Sequence, residues 1–161
     1  MTAAGYPPSV MGHVTELRLP AEREYAVVAK RTAAAVGSVA GFDMDAVDDL
    51  TIAVSQAFDN AISCLERSGY LTGQVRMAFK QSQRGVEINV RSTVNREAEL
   101  AARVQREAML VQAAAEQQRE EEAAAVDLAL RLMGLFVDRS SYRVDERTGG
   151  LQVRLTKYRV A

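Results

Sequence analysis

The chain has 161 residues, of which 48% are hydrophobic and 25% charged, and its formal net charge is −1. This is the composition of one globular domain; it provides no bulk basic field for nucleic acid or anionic lipid, and no apolar run reaches the ~18 residues that span a membrane. One cysteine and one histidine exclude an intrachain disulfide and disfavour a zinc site, so we expect a reducing, cytoplasmic location.

The N-terminal part of the chain predicts a tail, a strand and a helix. Residues 1–12 contain two glycines and two prolines, which favours a flexible tail. Alternating apolar residues predict a strand over 13–19. Pro20 suits the first turn of a following helix, and Gly41 suits its end.

A second helix is predicted from about Asp45, a residue type that caps helix N-termini, to just before Gly69. Six apolar residues at helical spacing form its expected buried stripe: Val47, Leu50, Val54, Phe58, Ala61 and Leu65. Gln56 and Asn60 are four positions apart, so they share one face beside this stripe.

The remaining elements are two hairpins with a helical stretch between them. Alternating apolar residues predict paired strands at 75–79 and 86–90, and a closing hairpin at 142–144 and 151–155. Residues 91–133 contain no glycine or proline and are rich in helix formers; segment 95–137 is either one long helix or two. The separation of strands from helices predicts an α+β fold, a two-layer α/β sandwich with one mixed, mostly antiparallel sheet and its helices on one face.

Residues 52–62, Ile-Ala-Val-Ser-Gln-Ala-Phe-Asp-Asn-Ala-Ile, resemble the N-box helix of GHKL-type ATPases, most closely that of the anti-sigma-factor serine kinases (RsbW-like). In that family the motif is Glu-x-x-x-Asn, whose Glu is the general base and whose Asn holds Mg²⁺. Residues 128–133 and 149–155 resemble the family's glycine-rich segment and last strand. The resemblance implies a GHKL (Bergerat) fold for a single domain at 13–161.

The N-box and first glycine box depart from the family pattern. Gln56 stands at the general-base position, where a neutral amide cannot accept a proton near neutral pH, while Asn60 is retained. Asp59 is a substitute base to consider, but it is rotated by about 100° from Asn60 on the helix. Ser92 lies in the segment where the family carries the Asp that recognises adenine.

The other nucleotide motifs depart as well. Asp127 and Ala129 stand at glycine positions of the phosphate-binding box, where a carboxylate repels phosphate and a Cβ atom blocks the close backbone approach. Leu151 replaces a Thr that often follows the last glycine pair. Residues 91–125 are expected to be a helical replacement of the family's ATP lid.

The resemblance with these departures implies an anti-sigma factor or partner-switching regulator that acts by protein binding, with ATP binding and kinase activity lost. The implied partners are a sigma factor, a STAS-domain anti-anti-sigma factor, or both, and a homodimer is possible; no nucleic acid or membrane partner is expected. No catalytic residue or cofactor is then expected, and a vestigial pocket remains at Gln56, Asn60, Ser92, Asp127 and Ala129.

Three alternatives stay open. The first is an active serine-protein kinase that uses Mg-ATP, with Asn60 as its metal ligand and a STAS-domain protein as its substrate. The second is a small-molecule sensor that uses the same pocket. In the third, Gln56 and Asn60 are simply two polar residues on a solvated helix face.

Overall fold

A computed structural model describes residues 12–70, 72–107, 128–145 and 150–160. The first half contains β1 (His13–Pro20), a 3₁₀ turn (Arg23–Tyr25), α1 (Ala26–Val39), α2 (Met44–Arg67) and β2 (Gln74–Gln81). The second half contains β3 (Gly85–Thr93), α3 (Arg96–Glu107), β4 (Arg139–Val144) and β5 (Leu151–Tyr158). Residues 128–133 are also helical.

The five strands form one sheet in the order β1-β2-β3-β5-β4. The four neighbouring pairs are all antiparallel, and both predicted hairpins, β2–β3 and β4–β5, are present. The predicted two-layer α/β sandwich is therefore confirmed, although the described strands contain no parallel pair and the sheet is antiparallel rather than mixed.

The core lies on one face of the sheet. Its strand side chains are fully or almost fully buried: Val75, Met77, Phe79, Val86, Ile88, Val90, Leu151, Val153 and Leu155. The stripe of α2 packs on them through Leu50, Val54, Phe58, Ala61 and Leu65, all at most 3% exposed. Leu130 and Met133 of the helical segment 128–133 join the same core. Burying each large apolar side chain contributes roughly 2 kcal/mol, so this contact orients α2 on the sheet.

The helix ends are fixed by local hydrogen bonds. The Asp43 carboxylate caps α2 by accepting the Ala46 amide at 2.8 Å. The prediction of Asp45 as the cap was therefore wrong: Asp45 lies in the first turn, where the helix dipole favours negative charge. Gly41 ends α1 as predicted, because its φ of +81° lets the Phe42 amide reach the Gly37 carbonyl.

Pro20 does not begin a helix. It is the last residue of β1, an edge strand of the sheet, where proline's missing N–H is tolerated. A 3₁₀ turn follows, and α1 begins only at Ala26.

The predicted helical replacement of the lid over 91–125 begins later in the structure than the sequence suggested. β3 continues to Thr93, and α3 begins at Arg96, because Asn95 caps it by accepting the Glu97 amide at 3.0 Å. The remainder of that segment, residues 108–125, lies outside the described residues, as do residues 1–11 of the predicted tail. The question of one or two helices over 95–137 lies there too. No helix in the described part of the chain has the length and apolar character to cross a membrane.

We predict that Asp43→Ala lowers the free energy of unfolding by about 1 kcal/mol, because it removes the cap of α2. Urea denaturation followed by circular dichroism measures this loss. Asp45→Ala is the matched control, since it removes a carboxylate from the same turn without removing a cap hydrogen bond. Equal losses in the two variants would contradict the assignment of Asp43 as the cap.

Candidate functional site

Ser92 and Leu151, two of the residues singled out from the sequence, lie in direct contact. The hydroxyl of Ser92 accepts the Leu151 amide at 2.7 Å and lies 3.4 Å from the Leu151 carbonyl, to which it donates. Ser92 is only 7% exposed. The regular pairing of β3 with β5 ends one residue earlier, at Arg91 and Gln152, so this hydroxyl completes the hydrogen bonds between the two strands.

Gln56 and Asn60 lie one turn apart on α2, and both present buried polar atoms. Asn60 is 5% exposed, so the alternative of a solvated helix face is wrong for this residue. Within the described part of the chain, neither Gln56 Oε1 nor Asn60 Nδ2 has a hydrogen-bond partner. A buried polar group without a partner costs about 1–3 kcal/mol, which favours a water or ligand at this position.

A cleft of about 890 Å³ lies between the end of β3 and the start of α3. Ser92 and Leu151 line it, together with Tyr70, Glu99 and Gly150. Gln56, Asn60 and Ala129 do not line it. The structure therefore brings Ser92 and Leu151 together but does not gather the candidate residues around one cavity.

Asp59 faces a different neighbourhood from Asn60. Burial raises the pKa of the Asp59 carboxyl above its ordinary value, while the charges of Arg23 and Lys30 oppose that rise. Arg23 itself forms an ion pair with Glu66 at 2.6 Å and donates to Ser63 at 3.1 Å. Asp59 therefore lies on the side of α2 that faces the 3₁₀ turn and α1.

Glu99 is a site residue that the sequence did not single out. It is 4% exposed and accepts two hydrogen bonds at Oε1, from the Thr72 amide at 2.6 Å and from the Thr72 hydroxyl at 3.0 Å. This carboxylate fastens α3 to the loop that follows α2, at the edge of the cleft. Glu99 lies in the first turn of α3, where the sequence pattern indicates only that a negative charge is favourable and gives no sign of the contact with Thr72.

Of the two predicted glycine-box positions, the structure describes only Ala129. Ala129 is half-buried in the helical segment 128–133, and Asp127 lies outside the described residues. No cluster of three or more His, Cys, Asp or Glu side chains that could hold a metal occurs in the described ranges.

The predicted site residues offer neutral polar groups. Gln56 carries an amide and Ser92 a hydroxyl, and the Ser92 hydroxyl is already engaged by the β5 backbone. Asn60 remains as a potential oxygen ligand. These groups can bind a polar ligand, but no described carboxylate lies at the general-base position.

Comparisons with known proteins agree with the fold. The model of the histidine kinase-like ATPase domain matches residues 19–157. Serine-protein kinase RsbW of Bacillus licheniformis is 33% identical over 75 residues, which is 47% of each chain. The RsbW protein of Oceanobacillus iheyensis is 31% identical over 75 residues, which is 47% of each chain. The RsbW protein of Staphylococcus epidermidis is 35% identical over 65 residues, which is 40% of this chain and 41% of the relative. The chain therefore matches less than half the length of these relatives.

We predict that Glu99→Ala lowers the free energy of unfolding by about 1–3 kcal/mol and speeds hydrogen exchange at the Thr72 amide, because that amide loses its acceptor. Glu97 lies in the same first turn of α3 and is exposed. Glu97→Ala is therefore the matched control and should change the free energy of unfolding by less than about 0.5 kcal/mol. Unchanged Thr72 exchange in Glu99→Ala would show that the carboxylate does not hold this loop.

Proposed function

We propose that this chain, which belongs to the histidine kinase-like ATPase domain family, is an anti-sigma factor or partner-switching regulator that acts by protein binding without ATP chemistry. Its proposed partners are a sigma factor, a STAS-domain antagonist of such regulators, or both. The proposed location is the cytoplasm, and the proposed assembly is a monomer or a homodimer. Regulation would then depend on partner affinity and abundance.

The contact between Ser92 and Leu151 carries this proposal. In the resemblance, Ser92 lies in the segment where the family carries the Asp that recognises adenine, and Leu151 replaces the Thr that often follows the last glycine pair. Here a short hydroxyl satisfies the backbone of β5 instead, so this position offers no charged acceptor to an adenine amino group. Gln56 supports the same conclusion, because an amide cannot take a proton from a substrate hydroxyl.

Exposed apolar side chains on α3 support a protein partner. Leu100 is 67% exposed and Val104 is 66% exposed, and they lie one turn apart on the same face of the helix. These two side chains therefore form an apolar surface that the described residues leave open. Apolar residues at this spacing suit packing against a partner helix.

We predict that millimolar Mg-ATP leaves the Tm of the chain unchanged. A ligand present at 1,000 times its Kd stabilises a protein by about 4 kcal/mol, which would raise the Tm of a domain of this size on the order of 10 °C. Differential scanning fluorimetry with and without Mg-ATP therefore distinguishes micromolar binding from none, and a saturable rise in Tm would contradict the proposal.

A pull-down with mass spectrometry tests the partner half of the proposal. The tagged chain is expected to recover a sigma factor or a STAS-domain protein in equal amounts with and without ATP. Leu100→Glu, which places a charge on the exposed apolar face of α3, should reduce recovery if that face is used. Recovery of neither class of partner would remove the basis of the proposal.

The second candidate function is an active serine-protein kinase. It is favoured by the unsatisfied buried amides of Gln56 and Asn60 and by the names of the relatives. It requires transfer of labelled phosphate from ATP to a STAS-domain protein, and loss of that transfer in Asn60→Ala. If only the base is missing, Gln56→Glu should restore transfer.

A third candidate function is a small-molecule sensor, which is favoured by the 890 Å³ cleft. Thermal-shift screening with nucleotides, including cyclic dinucleotides, tests it.

A further inference from the structure

We propose that the sheet face on which no described helix packs docks an α-helix of a partner protein that carries one carboxylate per turn. The docking site is a row of side chains that crosses all five strands, Arg18, Arg76, Arg91, Gln152 and Arg143, called here the arginine row. The inference goes beyond the proposed function, because it concerns the opposite face of the sheet and holds whether or not the chain binds ATP.

The strand register places the arginine row in one line. Arg18 pairs with Arg76, Arg76 with Arg91, Arg91 with Gln152, and Gln152 with Arg143. Their neighbours along each strand point into the core, so these five side chains share the outer face. All four arginines are exposed, and all five residues line one open groove of about 700 Å³.

The row carries an electrostatic cost that the described residues do not relieve. Like charges directly opposite each other on neighbouring strands are destabilising, and Arg76 has an arginine on either side. No described residue forms an ion pair or hydrogen bond with the side chains of Arg18, Arg76 or Arg91. Arg143 donates to Gln152 at 2.6 Å, and that partner is neutral.

The neighbouring outer-face arginine is different. Arg154 lies two positions from Gln152 on β5, and its guanidinium lies 3.7 Å from the Glu87 carboxylate and donates to Asn89 at 3.3 Å. The charge of Arg154 is therefore compensated within the domain, whereas the charge of the arginine row is left for an external anion.

The spacing of the row matches an acidic helix lying across the strands. Neighbouring strands are about 4.8 Å apart, so the row extends roughly 19 Å. An α-helix rises about 5.4 Å per turn, so side chains three or four positions apart present about one carboxylate to each strand. Arginine and carboxylate form paired, charge-assisted hydrogen bonds in this arrangement.

Two other occupants fit less well. A nucleic acid strand would gain no base stacking, because the row itself contains no aromatic side chain. A second copy of the chain would bring one arginine row against another, which costs free energy unless a counter-charge intervenes.

The test uses a synthetic helical peptide of about five turns, based on Ala and Gln, with glutamates at i, i+4, i+7 and i+11. Fluorescence anisotropy at low ionic strength should show saturable binding to the full chain. Arg76→Glu should weaken that binding roughly tenfold or more. Arg84→Glu, in the β2–β3 turn, makes the same change in net charge outside the row and should change the affinity by less than about twofold.

Thermal unfolding separates docking from a structural role. Arg76→Glu places a carboxylate between Arg18 and Arg91, so it should raise the Tm while it lowers peptide affinity. Arg18→Glu, on the edge strand, is a second variant expected to weaken binding. A fall in Tm together with lost binding in both variants would overturn the proposal, since the row would then be structural.

Three further outcomes would also overturn it. One is equal binding of a peptide with the same composition but with glutamates spread around the helix. Another is tighter binding of a DNA duplex than of the acidic helix. The third is self-association in sedimentation velocity that Arg76→Glu abolishes. Each of these outcomes leaves the pull-down and Mg-ATP tests unaffected, so failure here is distinguishable from failure of the proposed function.

Discussion

The packing of α2 on one face of the sheet is the constraint on which the other features depend. Its apolar stripe, centred on Val54 and Phe58, lies on the buried residues of β2, β3 and β5. Because the helix is held in that orientation, Asn60 is carried into the interior with its amide unsatisfied. Because most apolar side chains of the strands point toward the helices, most cations of the strands lie on the other face.

Buried polar side chains distinguish the candidate site from the apolar core. The described residues contain three buried polar or charged side chains, Asn60, Ser92 and Glu99. They lie in α2, at the end of β3 and at the start of α3 respectively. Ser92 and Glu99 offset their desolvation with hydrogen bonds to the backbone at Leu151 and Thr72. Asn60 Nδ2 has no such bond to a described residue, so the N-box position is where an external ligand or water would gain most.

Periodicity predicted most of the fold, because the strands alternate and the stripe of α2 has helical spacing. It failed where a choice between neighbours depends on atomic geometry: Asp43 rather than Asp45 caps α2, and Pro20 ends a strand. The site was predicted only by residue identity. Sequence spacing could not show that Ser92 would close on Leu151, that Asn60 would be buried, or that Glu99 would hold Thr72, because each contact joins elements set by tertiary packing.

Amide NMR shows whether the Leu151 amide is hydrogen-bonded to the Ser92 hydroxyl instead of facing a nucleotide. We expect that the Leu151 amide exchanges slowly with solvent, that Ser92→Ala accelerates this exchange, and that millimolar Mg-ATP leaves the Leu151 and Ser92 resonances unmoved. Saturable shifts of those two resonances on addition of Mg-ATP would overturn this expectation, because they would place the nucleotide where the hydroxyl and the β5 backbone meet.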